Sequence, residues 1–151
     1  MKKKKLAYGV GINDADYIVQ KMGTIDLGNG KRKQKLVWIC PFYSRWRVMI
    51  QRCYSVKYQE KFPTYKGCFV CEEWLTFSNF RRWMGAQDWE GKQLDKDILS
   101  YGMGIYSANN CCFVSKRLNN FMRFNKDSRC DLGIGVRKNI KGSKYHSSLS
   151  F

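Results

Sequence analysis

Histidine and long apolar runs are both scarce in this sequence. The one histidine, His146, lies well after the carboxylate pair Asp95 and Asp97, so a site built on these acids has no histidine close to it in the sequence. No stretch of about 18 apolar residues occurs, which excludes a membrane-spanning helix. The lysine-rich start is followed by polar and acidic residues, unlike a secretory signal. We therefore expect a cytoplasmic protein.

Acidic residues are also few. The 151 residues include 28 Lys and Arg but only 12 Asp and Glu, which gives a formal net charge of +16. A surface with this excess repels itself unless a polyanion compensates it. The composition therefore favours nucleic acid as the partner, although a merely soluble basic protein is the alternative. The length and the 44% hydrophobic content suit one main domain with a packed core.

Seven cysteines are an odd number, and in a cytoplasmic protein they are better interpreted as thiols or metal ligands than as a disulfide framework. Cys68 and Cys71 have the CxxC spacing that lets two thiolates share a zinc ion. Cys53 and Cys111 are candidates for the other two ligands, although no second CxxC selects them over Cys40, Cys112 and Cys130. The alternative is that these cysteines are small buried thiols packed beside aromatic rings.

The first half of the chain contains a basic segment and two amphipathic stretches. Residues 1–36 are rich in Lys and Gly and predict an irregular or hairpin-like basic arm. In FYSRWRVMIQRCY, four side chains recur at helical spacing and predict one buried helix face: Trp46, Met49, Ile50 and Cys53. In EEWLTFSNFRRWM, aromatic residues recur every third position from Trp74 to Trp83 and predict a second helix. We expect this aromatic stripe to face the core, with base stacking as the alternative.

The pattern changes after Gln93. QLDKDIL alternates like a strand, SYGMGIYS supplies a glycine-rich bend, and CCFV predicts a second short strand. Ser115 is a candidate N-cap for a helix in SKRLNNFMRF, where Leu118, Phe121 and Met122 share one face. The sequence therefore predicts strand, loop, strand and helix across residues 93–124.

Asp95 and Asp97 would lie on one face of such a strand, and Mg²⁺ binds proteins through one or two carboxylates while keeping several waters. Asn119, one turn into the predicted helix, could contact the same ion. A metal held in this way can polarise a phosphodiester. The alternative is that the two acids are solvated residues beside a turn.

An ordered series of short motifs favours the metal site over this alternative. CPFYSRWRVMIQRCY, PTYKGCFVCEEWLTFSNFRRWM, LDKDIL, YSANNCCFV and KRLNN resemble the HNH homing-type endonucleases of bacteriophages over residues 40–122. The resemblance implies an α+β fold with a ββα-metal hairpin and helix. It also implies a divalent-metal-dependent DNA endonuclease or nickase, using Mg²⁺ or Mn²⁺, in the cytoplasm of an infected bacterium. The alternative is an inactive nucleic-acid-binding protein with the same fold.

The resemblance assigns individual roles. Asp95 and Asn119 correspond to the two metal ligands, Asn110 to the residue that fixes the loop and orients the base, and Asp97 becomes a supporting residue. Lys96 stands where the family has its general-base histidine. A protonated amine cannot remove a proton from water, so Lys96 is better suited to contact phosphate or stabilise the transition state.

The remaining expectations concern partners and domains. The residues expected to contact the DNA backbone are Arg45, Arg47, Arg52, Arg81, Arg82, Lys116 and Arg117. The expected partner is double-stranded DNA, bound by a monomer or a homodimer. DLGIGVRKNIKGSKYHSSLSF resembles the start of an AP2-like DNA-binding module. We therefore predict three parts: a basic arm at 1–36, an HNH-like nuclease domain at 37–125, and an incomplete AP2-like tail at 126–151.

Overall fold

The computed structural model describes residues 6–100, 102–124, 136–138 and 145–147. Helices and short two-stranded sheets are mixed along the chain, which confirms the predicted α+β class. The helices are α1 (Pro41–Tyr54), α2 (Val56–Lys61), α3 (Phe77–Gly85) and α4 (Lys116–Phe124). Within the described residues, none of the helices is both long enough and apolar enough to cross a membrane. Two parts of the sequence-based predictions lie outside the described residues: the lysine run at 2–5 in the basic arm, and Cys130.

The basic N-terminal segment contains an antiparallel hairpin of β1 (Gln20–Asp26) and β2 (Arg32–Ile39). Its turn is built on residues 28–30, where Gly28 has a φ of 78° and Gly30 a φ of 73°. These left-handed angles explain why glycine occupies both positions. Almost every residue of the two strands is exposed. Residues 7–19 differ, because several of their side chains pack against the core.

Helix α1 supplies the centre of the core. Its buried residues are Trp46, Met49, Ile50 and Cys53, the four that the helical spacing predicts. The indole nitrogen of Trp46 donates a hydrogen bond to the carbonyl oxygen of Trp74 at 2.7 Å. Because both groups are buried, this bond fixes α1 against the segment before α3.

The prediction of one continuous helix from Glu72 to Met84 is wrong. Residues Glu72–Leu75 form a 3₁₀ turn, and α3 begins only at Phe77. Tertiary partners use the backbone groups that a continuous helix would pair internally: the carbonyl of Trp74 accepts from an indole, and that of Leu75 accepts from the amide of Ile12. The aromatic residues nevertheless face inward, because Trp74, Phe77 and Phe80 are all buried.

Two strand pairs interlock beside this core. β3 (Phe69–Val70) pairs in parallel with β5 (Ile105–Tyr106), and β4 (Gln93–Asp95) pairs antiparallel with β6 (Cys112–Val114). Helix α4 follows β6 directly, which confirms the predicted order of strand, loop, strand and helix. The loop itself contains β5, which the glycine-rich pattern does not predict. The rings of Trp83 and Phe113 stack at a centroid distance of 5.7 Å and connect α3 to β6.

The C-terminal tail contains two short strands in its described part. β7 (Val136–Lys138) and β8 (Tyr145–Ser147) pair antiparallel. The other residues of the predicted 126–151 module lie outside the described residues.

Candidate active-site cleft

One face of β4 carries two of the residues that define the site. Gln93 and Asp95 are two positions apart and half-buried, whereas Leu94 between them is buried. Alternate residues of a strand point to the same side, so the side chains of Gln93 and Asp95 lie on one face. The side-chain amide of Asn119 donates a hydrogen bond to Oε1 of Gln93 at 2.7 Å. The sequence-predicted pair Asp95 and Asn119 is therefore brought to the same side of the hairpin.

The carboxylate of Asp95 also ends the strand. Its Oδ1 accepts hydrogen bonds from the backbone amides of Asp97 and Ile98, each at 2.8 Å. The prediction that QLDKDIL continues as a strand is therefore wrong, because this side-chain bonding turns the chain immediately after Asp95. Asp97 lies in the bend, not on the same strand face. Within the described residues no hydrogen bond reaches Oδ2 of Asp95, so this oxygen can face a cation.

Helix α4 is positioned by the cap that the sequence predicts. The hydroxyl of Ser115 accepts a hydrogen bond from the amide of Leu118 at 3.2 Å, and its carbonyl accepts from the amide of Asn119 at 3.0 Å. Asn119 is half-buried, one turn into the helix. Its Nδ2 is used by Gln93, so Oδ1 is the atom that remains to bind a ligand.

A cleft of about 560 Å³ lies beside these residues. Its walls come from α1, from residues 58–65, from β4 with the bend that follows it, and from α4. The charged and amide-bearing side chains that line it are Arg45, Arg52, Gln93, Asp95, Lys96, Asp97 and Asn119. The cleft therefore combines oxygen ligands for a cation with basic groups for an anion.

Lys96 lies inside the structure and not on its surface. It is 7% exposed, its Nζ donates to Oδ1 of Asp97 at 2.5 Å, and its ammonium lies 5.8 Å from the ring centroid of Tyr106. Burial lowers the pKa of Lys96, but the hydrogen bond and the charge of Asp97 outweigh burial, and the pKa lies above its usual value. Lys96 is therefore a fixed cation at neutral pH and cannot act there as a general base.

Arg52 is the second cation held by the fold. It is half-buried, its Nη1 donates to the Tyr106 hydroxyl at 3.5 Å, and its guanidinium carbon lies 5.3 Å from the ring centroid of Tyr65. Among the described residues it forms no salt bridge, and its buried Nε has no hydrogen-bond partner. Arg52 therefore brings a positive charge to the cleft that no carboxylate neutralises.

The other predicted DNA-contacting residues are spread over the surface. Arg45 lines the cleft, and its Nη2 donates to the carbonyl of Lys92 at 3.1 Å. Arg81 lies over the Tyr17 ring, with its guanidinium carbon 4.9 Å from the centroid. The remaining four are exposed on α1, α3 and α4: Arg47, Arg82, Lys116 and Arg117. Only Arg45 and Arg52 among the seven belong to the cleft.

Asn110, unlike Asp95, Lys96 and Asn119, does not line the cleft. It is half-buried in the turn before β6, where its backbone amide donates to the carbonyl of Ser107 at 3.2 Å. The role of its side chain in fixing the loop stays a prediction.

The structure describes the positions of all four predicted zinc ligands: Cys53, Cys68, Cys71 and Cys111. Cys68 and Cys71 flank β3 instead of sharing a tight turn, and the amide of Cys71 donates to the carbonyl of Tyr106 at 2.9 Å. Cys53 and Cys111 are buried, as packed thiols would be. Among the described residues, no three His, Cys, Asp or Glu side chains are grouped to hold a metal ion. Zinc binding by these cysteines stays a prediction.

A hard divalent ion fits the cleft better, because Mg²⁺ needs only one or two carboxylates and fills its other positions with water or substrate oxygens. Asp95 would supply a carboxylate oxygen and Asn119 an amide oxygen. The bond from Gln93 to Asn119 is the kind of outer contact that orients a ligand for a metal.

Sequence reasoning missed several residues of the cleft. Gln93 could have been found, because the period of two in a strand places it on the face of Asp95. Four aromatic lining residues were also missed: Tyr58, Phe62, Tyr65 and Tyr106. Three of these lie in residues 58–65, where no long helical period marks them. No family model matches the chain, and comparisons with curated proteins and solved structures found no similar protein.

Proposed function

We propose that this protein is a divalent-metal-dependent DNA endonuclease or nickase of the phage HNH homing type. The observation that carries the proposal is the hydrogen bond between Asn119 and Gln93, which aligns Asn119 with Asp95 on one side of a strand, strand and helix unit. The ordered motifs from residue 40 to 122 and the net charge of +16 add to it.

In this proposal the residues of the cleft have different roles. Asp95 and Asn119 hold Mg²⁺ or Mn²⁺, which would polarise the phosphodiester and lower the pKa of a bound water. Lys96 and Arg52 bind the phosphate oxygens, and as fixed cations they stabilise the charge that develops there during cleavage. Asp97 supports the site by holding Lys96 in position.

Cleavage of a supercoiled plasmid in Mg²⁺ or Mn²⁺ tests the proposal. Wild-type protein should nick or linearise the plasmid, and Asp95→Ala should lose this activity. Asp88→Ala is the matched control, because the Asp88 side chain is 82% exposed and lies outside the cleft. Equal activity of wild type and Asp95→Ala would contradict the assignment of Asp95.

A binding protein that does not cleave is the second candidate, and the state of Lys96 favours it. Where a neutral base would be needed, the structure has a buried cation paired with Asp97. Such a protein should bind DNA without cleaving it. If about six phosphates are neutralised, binding should weaken with salt at a log-log slope of roughly −5.

A further inference from the structure

The segment after α1 carries three aromatic rings that are not fully buried, of which Tyr65 also packs against the edge of the core. Neither α2 nor the 3₁₀ turn Pro63–Tyr65 buries any residue. Tyr58, Phe62 and Tyr65 nevertheless all line the cleft, and Phe62 is 39% exposed. These rings form an apolar part of the same cleft lining that includes residues of β4 and α4. We call Tyr58, Phe62 and Tyr65 the aromatic wall.

The aromatic wall is held in place before any ligand arrives. The ring of Tyr58 lies 4.7 Å from that of Phe62 and 5.8 Å from that of Tyr65, measured between centroids. The side-chain amide of Gln59 donates to the carbonyls of Arg52, Cys53 and Tyr65 at 3.2, 2.6 and 3.4 Å. These bonds attach the segment to the end of α1. A wall fixed in this way loses little conformational entropy when it binds a ligand.

Cations lie at both ends of the wall. The Arg52 guanidinium is 5.3 Å from the Tyr65 ring, and the Lys61 ammonium is 5.5 Å from the Phe62 ring. Among the described residues neither cation forms a salt bridge. Apolar ring faces beside such cations match the two chemical parts of a nucleotide, a flat base and a phosphate. The cleft volume of about 560 Å³ falls in the range of roughly 300–1,000 Å³ that accommodates small-molecule ligands.

From this arrangement we infer that the aromatic wall stacks one unpaired base while Arg52 binds the adjoining phosphate. The preferred substrate is then a single strand or a duplex with a displaced nucleotide. A paired base inside a duplex has both faces covered by its neighbours, so it can stack on protein rings only after leaving the helix. The inference rests on the proposed function in that it takes nucleic acid as the ligand of the cleft.

Binding in EDTA, where no metal-dependent cleavage occurs, tests this inference. The probes are a fluorescein-labelled single strand, its fully paired duplex, and a duplex with one bulged nucleotide. Phe62→Leu keeps an apolar side chain but removes the ring, and it should bind the single strand and the bulged duplex about tenfold more weakly. Its affinity for the paired duplex should stay unchanged. Phe69→Leu is the matched control, because Phe69 is 48% exposed and lies outside the cleft.

A second readout separates stacking from a general structural effect. With 2-aminopurine as the bulged base, wild-type protein and Phe69→Leu should quench its fluorescence, and Phe62→Leu should not. Equal weakening of all three probes in Phe62→Leu would overturn the inference, and so would wild-type affinity of Phe62→Leu for the bulged duplex. If the wild-type protein binds none of the probes, the proposed function fails together with the inference.

Discussion

Asn119 and Gln93 join helix α4 to strand β4 through a single side-chain hydrogen bond of 2.7 Å. The bond uses the amide nitrogen of Asn119, fixes the orientation of the side chain and leaves Oδ1 to bind a ligand. Gln93 is therefore a positioning residue for the candidate metal site.

Gln93→Leu should reduce metal-dependent cleavage without unfolding the protein. Loss of an orienting contact of this kind costs about 10- to 100-fold in metal affinity or activity. The Mg²⁺ concentration for half-maximal cleavage should rise, and titration calorimetry with Mn²⁺ should show weaker binding. Gln34→Leu is the control, since it removes an exposed cross-strand bond to Thr24 in the β1–β2 hairpin. The same loss in both variants would contradict a positioning role for Gln93.

Lys96→His should increase cleavage and give it a pH dependence. A histidine can lose its proton near neutral pH, at an unperturbed pKa of about 6.5, whereas Lys96 remains charged. Cleavage by the variant should therefore rise as the pH increases through about 6 to 7. Lys92→His provides the control outside the cleft lining. A Lys96→His variant that binds DNA but never cleaves it would favour the binding-only function.

Trp46→Phe should destabilise the fold. It removes the indole donor from the buried carbonyl of Trp74, and an orphaned buried group costs roughly 1–3 kcal/mol. Lost volume adds to this cost, because Trp46 is fully buried. Urea unfolding should show the decrease in the free energy of unfolding. Trp38→Phe, at a position 43% exposed, should change it by less than about 0.5 kcal/mol, and an equal effect of the two substitutions would contradict the role of this bond.

Alkaline pH should destabilise the protein through its buried thiols. Burial, with a smaller contribution from Cys68, raises the pKa of Cys53 from 9.0 to about 12. The unfolded chain then loses the proton first, so the stabilisation present below pH 9 is lost as the pH rises toward about 12. The melting temperature should fall over this interval, and Cys53→Ala should flatten the fall. Cys71→Ala, at a half-buried position, is the control and should keep most of the fall in melting temperature. If the melting temperature of Cys53→Ala falls with pH as steeply as that of the wild type, the role of Cys53 is contradicted.

The sequence predicts those parts of the fold that local chemistry determines. Helix α1 follows from the spacing of Trp46, Met49, Ile50 and Cys53, because one apolar face at helical period has to be buried. The cap at Ser115 follows from its hydroxyl. The prediction that Asp95 and Asn119 belong to one unit depended instead on the order of strand, loop, strand and helix and on the resemblance of the motifs.

Other parts depend on partners far away in the sequence. The helix break at Thr76 arises because Trp46 and Ile12 bond to carbonyls that a continuous helix would use. The two-residue strands β3 and β5 are too short to show any periodicity. The aromatic wall was missed for a related reason, since its rings are drawn together by the bonds of Gln59 and not by a repeating pattern.

The interlocked pairing of the four central strands also has a kinetic consequence. β3 pairs with β5, and β4 pairs with β6. Along the chain, β4 therefore lies between the two strands of the first pair, and β5 lies between the two strands of the second. Neither pair is a simple hairpin that can form alone, and loop-closure entropy must be overcome before either contributes stability. We therefore expect Asp95 and Asn119 to meet late in folding, after α1 has docked. In the proposed nuclease, a partly folded chain would then bind polyanions through its charge well before it could cleave one.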